Sequence, residues 1–154
     1  MAKKLLTKFF IVSIVMMLGL AMLSFNSGTA PTLGVTEGKL VPCPASPNCV
    51  STQTDSQTHK MAPVSWPEDR GEALARIKEV VRDSFSRAKL IDQSPGYLRY
   101  EFRSLIFQFV DDVEFYVDQG ARLIHFRSAS RVGHSDLGAN KSRMQKIVAA
   151  LESP

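Results

Sequence analysis

Phe109 to Arg131 reads F-V-D-D-V-E-F-Y-V-D-Q-G-A-R-L-I-H-F-R-S-A-S-R, with apolar and polar residues alternating on both sides of Gln119-Gly120. Successive side chains of a strand point to opposite faces, so a period of two flanking a glycine-bearing turn predicts a β-hairpin. With Gln119 and Gly120 as a two-residue loop, Asp118 lies opposite Ala121, Glu114 opposite His125 and Asp112 opposite Arg127. Val113, Phe115 and Val117 then share a core face with Ile124 and Phe126, while the other face is charged and paired.

The same alternation recurs upstream. After the turn signal Ser94-Pro95-Gly96, Tyr97 to Arg103 places Leu98, Tyr100 and Phe102 on one face and Arg99, Glu101 and Arg103 on the other, which predicts a strand. Ser104 to Gln108 breaks the pattern and reads as a loop bringing Phe107 and Phe109 to the sheet edge. Before the strand, Leu74, Ile77, Val81 and Phe85 recur at helical spacing beside Ala73 and Val80. Ser65 and Glu68 resemble a capping box, Pro67 suits a first turn, and Glu68, Asp69 and Glu72 place negative charge at the positive end of the dipole, so the helix is expected to start near Trp66. At the other end, Met144, Ile147, Val148 and Leu151 form an apolar stripe with Lys141, Arg143 and Lys146 on its wet side. Ser135 or Asp136 caps this helix, and Gly138 weakens its first turn. The order helix, three strands, helix predicts an α+β fold: a small antiparallel sheet packed against two helices. Trp66, Tyr97, Tyr100 and Phe102 are expected at the core or its edge.

The chain begins differently. Lys3, Lys4 and Lys8 precede an uncharged apolar run of 17 residues, Phe9 to Phe25. Cations before an apolar block are a membrane-insertion signal, and the run sits at the short end of the roughly 17 to 25 residues that a spanning helix needs. Residues 1–30 are therefore read as a signal peptide or transmembrane anchor, with residues 9–25 as the membrane contact. Cleavage after Ala30, preceded by Gly28 but followed by Pro31, and cleavage after Ala21, preceded by Gly19, are both open, as is retention. The rest is expected at the inner membrane facing the periplasm, or free in the periplasm after cleavage. Setting aside the first 30 of 154 residues leaves 124, enough for one core. Residues 31–66, rich in Pro, Ser, Thr and Asn, read as an extended arm wrapping an α+β domain at 67–154.

Removing Lys3, Lys4 and Lys8 takes 19 basic residues to 16 against 15 acids, and no cluster of Lys or Arg offers the stripe that a phosphate backbone requires. Nucleic acid is excluded as a partner on this count. Cys43 and Cys49, the only cysteines, bracket P-A-S-P-N and in an oxidising compartment read most economically as a disulfide. The rival, a metal held by Cys43, Cys49 and His59, lacks the C-x-x-C spacing and a fourth ligand. No metal or other cofactor is expected.

Three segments, C-P-A-S-P-N-C-V-S-T from Cys43, F-V-D-D-V-E-F-Y-V-D from Phe109 and R-S-A-S-R-V-G-H-S-D-L-G-A-N from Arg127, resemble in this order the family catalogued as domain of unknown function 1499 (DUF1499), over about residues 38–151. The motif positions correspond here to Cys43, Pro47, Asn48, Cys49, Asp111, Asp112, Arg127, Ser128, Ser130, Arg131, Gly133, Asp136, Leu137, Gly138 and Asn140. The resemblance implies an exported or membrane-anchored protein, or a plastid one, and carries no assigned reaction.

The residues themselves point to one polar constellation. Arg103, Asp112, Arg127, Ser128, Ser130 and Arg131 are the candidate ligand-binding set, in which the arginines converge with the serines and the start of the last helix on a carboxylate or phosphate. The competing structural reading is a salt-bridged sheet face that fixes register. Asp111 and Asp112, adjacent on a strand, point to opposite faces and cannot form an acid–base pair. His125 or His134 acting on a serine would make a small hydrolase, yet no nucleophile elbow surrounds Ser128 or Ser130, and no catalytic residue is assigned. A lipid or isoprenoid carrier would require an apolar cavity between sheet and helices. The expected function is non-enzymatic: ligand binding or assembly at a membrane, with an anionic small molecule or a protein as partner.

Overall fold

The computed structural model describes residues 2–26 and 30–153; within the first helix, it describes the side chains of residues 6–19 and 22. Gly28, on which one cleavage reading depends, and the side chain of Ala21, on which the other depends, lie outside what is described. In chain order the elements are α1 (Ala2–Asn26), β1 (Val35–Thr36), β2 (Lys39–Leu40), β3 (Cys49–Ser51), β4 (Val64–Ser65), α2 (Arg70–Ser84), β5 (Ala88–Ser94), β6 (Tyr97–Arg103), β7 (Val110–Asp118), β8 (Leu123–Ser130) and α3 (Ala139–Leu151). The predicted α+β class holds. β3, β8, β7, β6 and β5 lie side by side in an antiparallel sheet, and β4 pairs with β8 beyond β3.

The core lies between this sheet and α2 and α3. Ala73, Ile77, Val80 and Val81 of α2 and Met144, Ile147 and Leu151 of α3 meet Leu98, Tyr100, Phe102, Val113, Phe115, Val117, Ile124 and Phe126. The helical and strand periods read from the sequence thus face each other across one apolar layer. Phe115, Phe126, Ile77 and Met144 are fully buried and fill the space that a lipid carrier would keep open.

The register of the central hairpin differs from expectation by two residues. The loop has four residues, from Gln119 to Arg122, so that Asp118 pairs with Leu123, Tyr116 with His125, Glu114 with Arg127 and Asp112 with Ala129. A two-residue loop would set Val117 against Arg122; the longer one sets Val117 against Ile124 and Phe115 against Phe126, pairing apolar with apolar on the core face. The Asp118 carboxylate closes the turn by accepting from the Ala121 amide at 3.0 Å, and Arg122 adopts φ 56°. A two-residue slip preserves which face each side chain occupies, so the predicted core face survives while the Asp112–Arg127 and Glu114–His125 pairs do not.

Other boundaries also move. α2 starts at Arg70, capped by the Asp69 carboxylate, because Ser65 is committed to β4, opposite Leu123. Gly138 precedes α3 instead of weakening it; it is the N-cap residue at φ 82°, and the Asp136 carboxylate accepts from the Gly138 and Asn140 amides. β5 went unforeseen. The arm carries the Cys43–Cys49 disulfide and folds over the sheet face opposite the helices, where the Gly34 amide reaches the Glu114 carboxylate at 3.0 Å. With both sulfurs in that bond, the metal reading of Cys43, Cys49 and His59 falls away.

Candidate functional site

β7 alternation sends Asp112 and Glu114 to the arm face and Asp111 and Val113 to the helix face, and this divides the expected constellation in two. On the arm face, Arg99 of β6 donates to Asp112 at 2.9 Å, and Arg131 donates to Asp112 at 2.7 Å and to Glu101 at 2.5 Å. Arg103 bonds the second oxygen of Glu101 at 3.0 Å. Deeper under the arm, Glu114 accepts from Tyr97 Oη at 2.8 Å and from Arg127 Nη1 at 3.3 Å. Asp112 and Glu114 are buried, and so is Arg127.

Electrostatics follow from this burial. Burial pushes the Glu114 carboxyl up, against the bonds from Tyr97, Arg127 and Gly34. Burial also opposes the charge of Glu101, but hydrogen bonds and charges from Arg131 and Arg103 outweigh it and hold that carboxyl down. Hydrogen bonding to Asp112 raises the Arg131 guanidinium further. Each of Arg99, Arg103, Arg127 and Arg131 already has an acid of this chain as partner. Such a ladder stitches strands and arm together, and removing one partner strands a buried charge.

Ser128 and Ser130 are on the other face. Ser128 Oγ donates to Asn140 Oδ1 at 2.5 Å; Asn140 Nδ2 in turn donates to the Asn48 carbonyl at 3.0 Å and to Ser130 Oγ at 3.1 Å. Arg143 donates to Ser128, to Asn140 and, at 2.5 Å, to Asp111. Fully buried Asn140 thereby ties together three segments distant in sequence: the disulfide loop, β8 and α3. Neither Asn140 nor Arg143 was in the candidate set. Arg143 lies on what the sequence presents as a wet flank, and only the packing of α3 on β8, the neighbour of β7, brings it to Asp111. The α3 amide at Asn140 bonds Asp136, so the helix start already carries an acid of its own.

Beside this second network is an open groove of about 540 Å³, lined by the end of α2 and the turn after it (Ser84, Phe85, Arg87), by Phe102 and Ser104, and by Arg143 and Lys146. The Arg143 guanidinium lies 4.7 Å from the Phe102 ring centre and the Lys146 ammonium 4.9 Å from that of Phe85. Arg103 joins the lining, but its guanidinium bonds Glu101 on the far face. A second groove, of about 320 Å³, continues past Ser104, Asp111 and Ala139 towards Ser130, Ser135 and Asp136. Asp111 is thus shared by the two grooves and is already paired with Arg143.

His125 contacts Thr52 Oγ1 at 3.1 Å and stacks on Tyr116, on the opposite face from Ser128; His134 is exposed on the loop before α3. Among the described residues no group of three or more His, Cys, Asp or Glu could hold a metal ion.

This is an α+β protein whose antiparallel sheet buries an ionic ladder under an arm and opens a cationic groove beside its helices. The chain belongs to the family described as Protein of unknown function (DUF1499), whose model matches residues 39–151. No curated protein and no solved structure matches it.

Proposed function

We propose that this chain is a membrane-associated, non-enzymatic binding module that takes an anionic, partly apolar ligand in the groove between α2 and α3. The supporting observation is the groove's composition: Arg87, Arg143 and Lys146 surround an aromatic floor of Phe85 and Phe102, with Asp111 the one acid in the lining. Arg143 is held in place by Asp111, Ser128 and Asn140, whereas Arg87 has no acid partner among the described residues. Fixed cations above aromatic rings suit a phosphate or carboxylate attached to an apolar group.

Membrane association rests on α1, whose described apolar side chains, from Leu6 to Leu18 and at Met22, are exposed. A helix apolar on all sides needs a non-aqueous environment. No helix among the described residues is long and apolar enough to cross a membrane, so the reading is insertion into a bilayer without a claim of spanning it. The disulfide supports an exported location, since such bonds persist where thiols are oxidised.

The test is calorimetric titration of the full chain with phenyl phosphate. Arg87→Ala combined with Lys146→Ala is expected to weaken binding roughly tenfold or more, the loss of one charge-assisted bond or better. Equal affinity in the wild type and the variant would overturn the reading.

A further inference from the structure

At the mouth of the groove, the β6–β7 connection carries Leu105, Ile106 and Phe107, which are 67%, 76% and 41% exposed. Across the groove, Leu137 is 97% exposed. Ser104 and Phe109 from the first loop and Ser135 and Asp136 from the second line one continuous groove, so the two apolar tips are neighbours. Neither tip is loosely built. The Ser104 amide donates to the Phe109 carbonyl at 2.9 Å and the Phe109 amide returns to Ser104 Oγ at 2.9 Å, closing the loop at its base. Gln108 Nε2 bonds the Leu105 carbonyl, and Phe107 stacks on Phe109 with centroids 5.6 Å apart. Leu137 is held at φ 54° by the hydroxyl and carboxylate turns of Ser135 and Asp136. A large apolar residue such as Leu137 gains nothing from full exposure in a left-handed conformation, so two braced loops that together hold four large apolar side chains in water have a contact to make.

Charge decides which contact. Arg87 and Lys146 line the groove beside the tips and Lys141 is exposed on the first turn of α3, none of the three paired with an acid among the described residues; Arg103 and Arg143 stand nearby but are already paired. The acids nearby are committed: Asp111 to Arg143, Asp136 to the amides of α3, and Glu101 to Arg131 and Arg103. Apolar tips ringed by surplus cations match a bilayer that carries anionic headgroups, with the tips in the acyl boundary and the cations at phosphate level. The eight peptide steps from Asn26 to Gly34 reach at most about 29 Å, so a membrane-inserted α1 holds the domain close enough for a weak second contact to form.

The geometry points to the Leu105–Phe107 loop and Leu137 as a docking surface for anionic phospholipid, with lipid headgroups as the occupants of the groove. This rests on the reading of the groove as an anion site. The test places the full chain carrying Ile106→Trp on vesicles of brominated phosphatidylcholine, with and without phosphatidylglycerol, against the wild type, in which Trp66 is the only indole. Expected is a roughly twofold loss of the added tryptophan's fluorescence on phosphatidylglycerol vesicles, reversed by high salt while the chain stays bound through α1. Co-sedimentation without quenching, or equal quenching on both vesicles, would overturn the docking surface. Phenyl phosphate binding would survive that result, which separates this failure from failure of the groove itself.

Discussion

At the scale of single residues, Arg127 shows how a correct face assignment can still give a wrong partner. The period of two placed it beside acids and away from the core, and the structure agrees. What the sequence could not supply was loop length, since Q-G alone reads as a two-residue turn, whereas the four-residue loop, closed locally by Asp118, is the one that pairs Val117 with Ile124 and Phe115 with Phe126 on the core face. The consequence is chemical: Arg127 faces a buried Glu114 under the arm and is not an exposed cation awaiting a ligand. Arg127→Ala should therefore destabilise the fold by about 3 to 5 kcal/mol, while Glu114→Leu combined with Arg127→Met stays within about 1 to 2 kcal/mol of the wild type. Urea unfolding of the three proteins checks this, and a mild Arg127→Ala would show that the pair is hydrated.

At the scale of elements, legibility tracked length and alternation. The bounds of β6 were readable because seven residues alternate without interruption. β5 was not, because it lies exposed at the sheet edge and a bulge between Leu90 and Asp92 interrupts its register. β3 and β4, of three and two residues, are too short to show any period, yet they convert the arm from a wrap into part of the sheet. Turns between elements make a sharper prediction. Gly96 and Gly138 both have φ 82°, but a Cβ on Gly96 would lie 3.2 Å from Arg70 and 3.4 Å from the Val117 carbonyl, whereas one on Gly138 would meet open space. Gly138→Ala should cost only the left-handed conformation, about 1 to 2 kcal/mol, and Gly96→Ala more. Equal shifts in urea midpoint would mean that the β5–β6 turn relaxes freely.

At the scale of the whole molecule, two faces of one sheet carry opposite uses of charge. Under the arm, every arginine of the ladder is paired with an acid; beside the helices, cations outnumber acids, and Arg87 and Lys146 remain exposed. The candidate set read from sequence mixed the two, because Arg127 and Ser128 are adjacent in the chain and only the strand's alternation separates them. The buried face also sets how stability responds to acid. Burial holds His125 below its usual 6.5, so its contribution is present above that value and is lost as pH falls through the folded one. Glu114, raised by burial, has the opposite sign: its contribution is present below 4.5 and lost as pH rises through its folded value. On acidification the two oppose each other, since His125 loses its contribution while Glu114 regains its own. His125→Phe should retain the stack on Tyr116 and lose less stability on acidification from neutrality than the wild type does, as read by urea midpoints at each pH. Parallel pH profiles would remove His125 from the account.

The division of charge between the faces is tested most directly by one titration series with phenyl phosphate. Glu114→Leu/Arg127→Met, which alters the covered ladder, is expected to bind as the wild type does, and Arg87→Ala/Lys146→Ala, which alters the open groove, is expected to lose binding while unfolding at the same urea concentration. Loss of binding in the ladder variant with binding kept in the groove variant would contradict the account and return the site to the arm face.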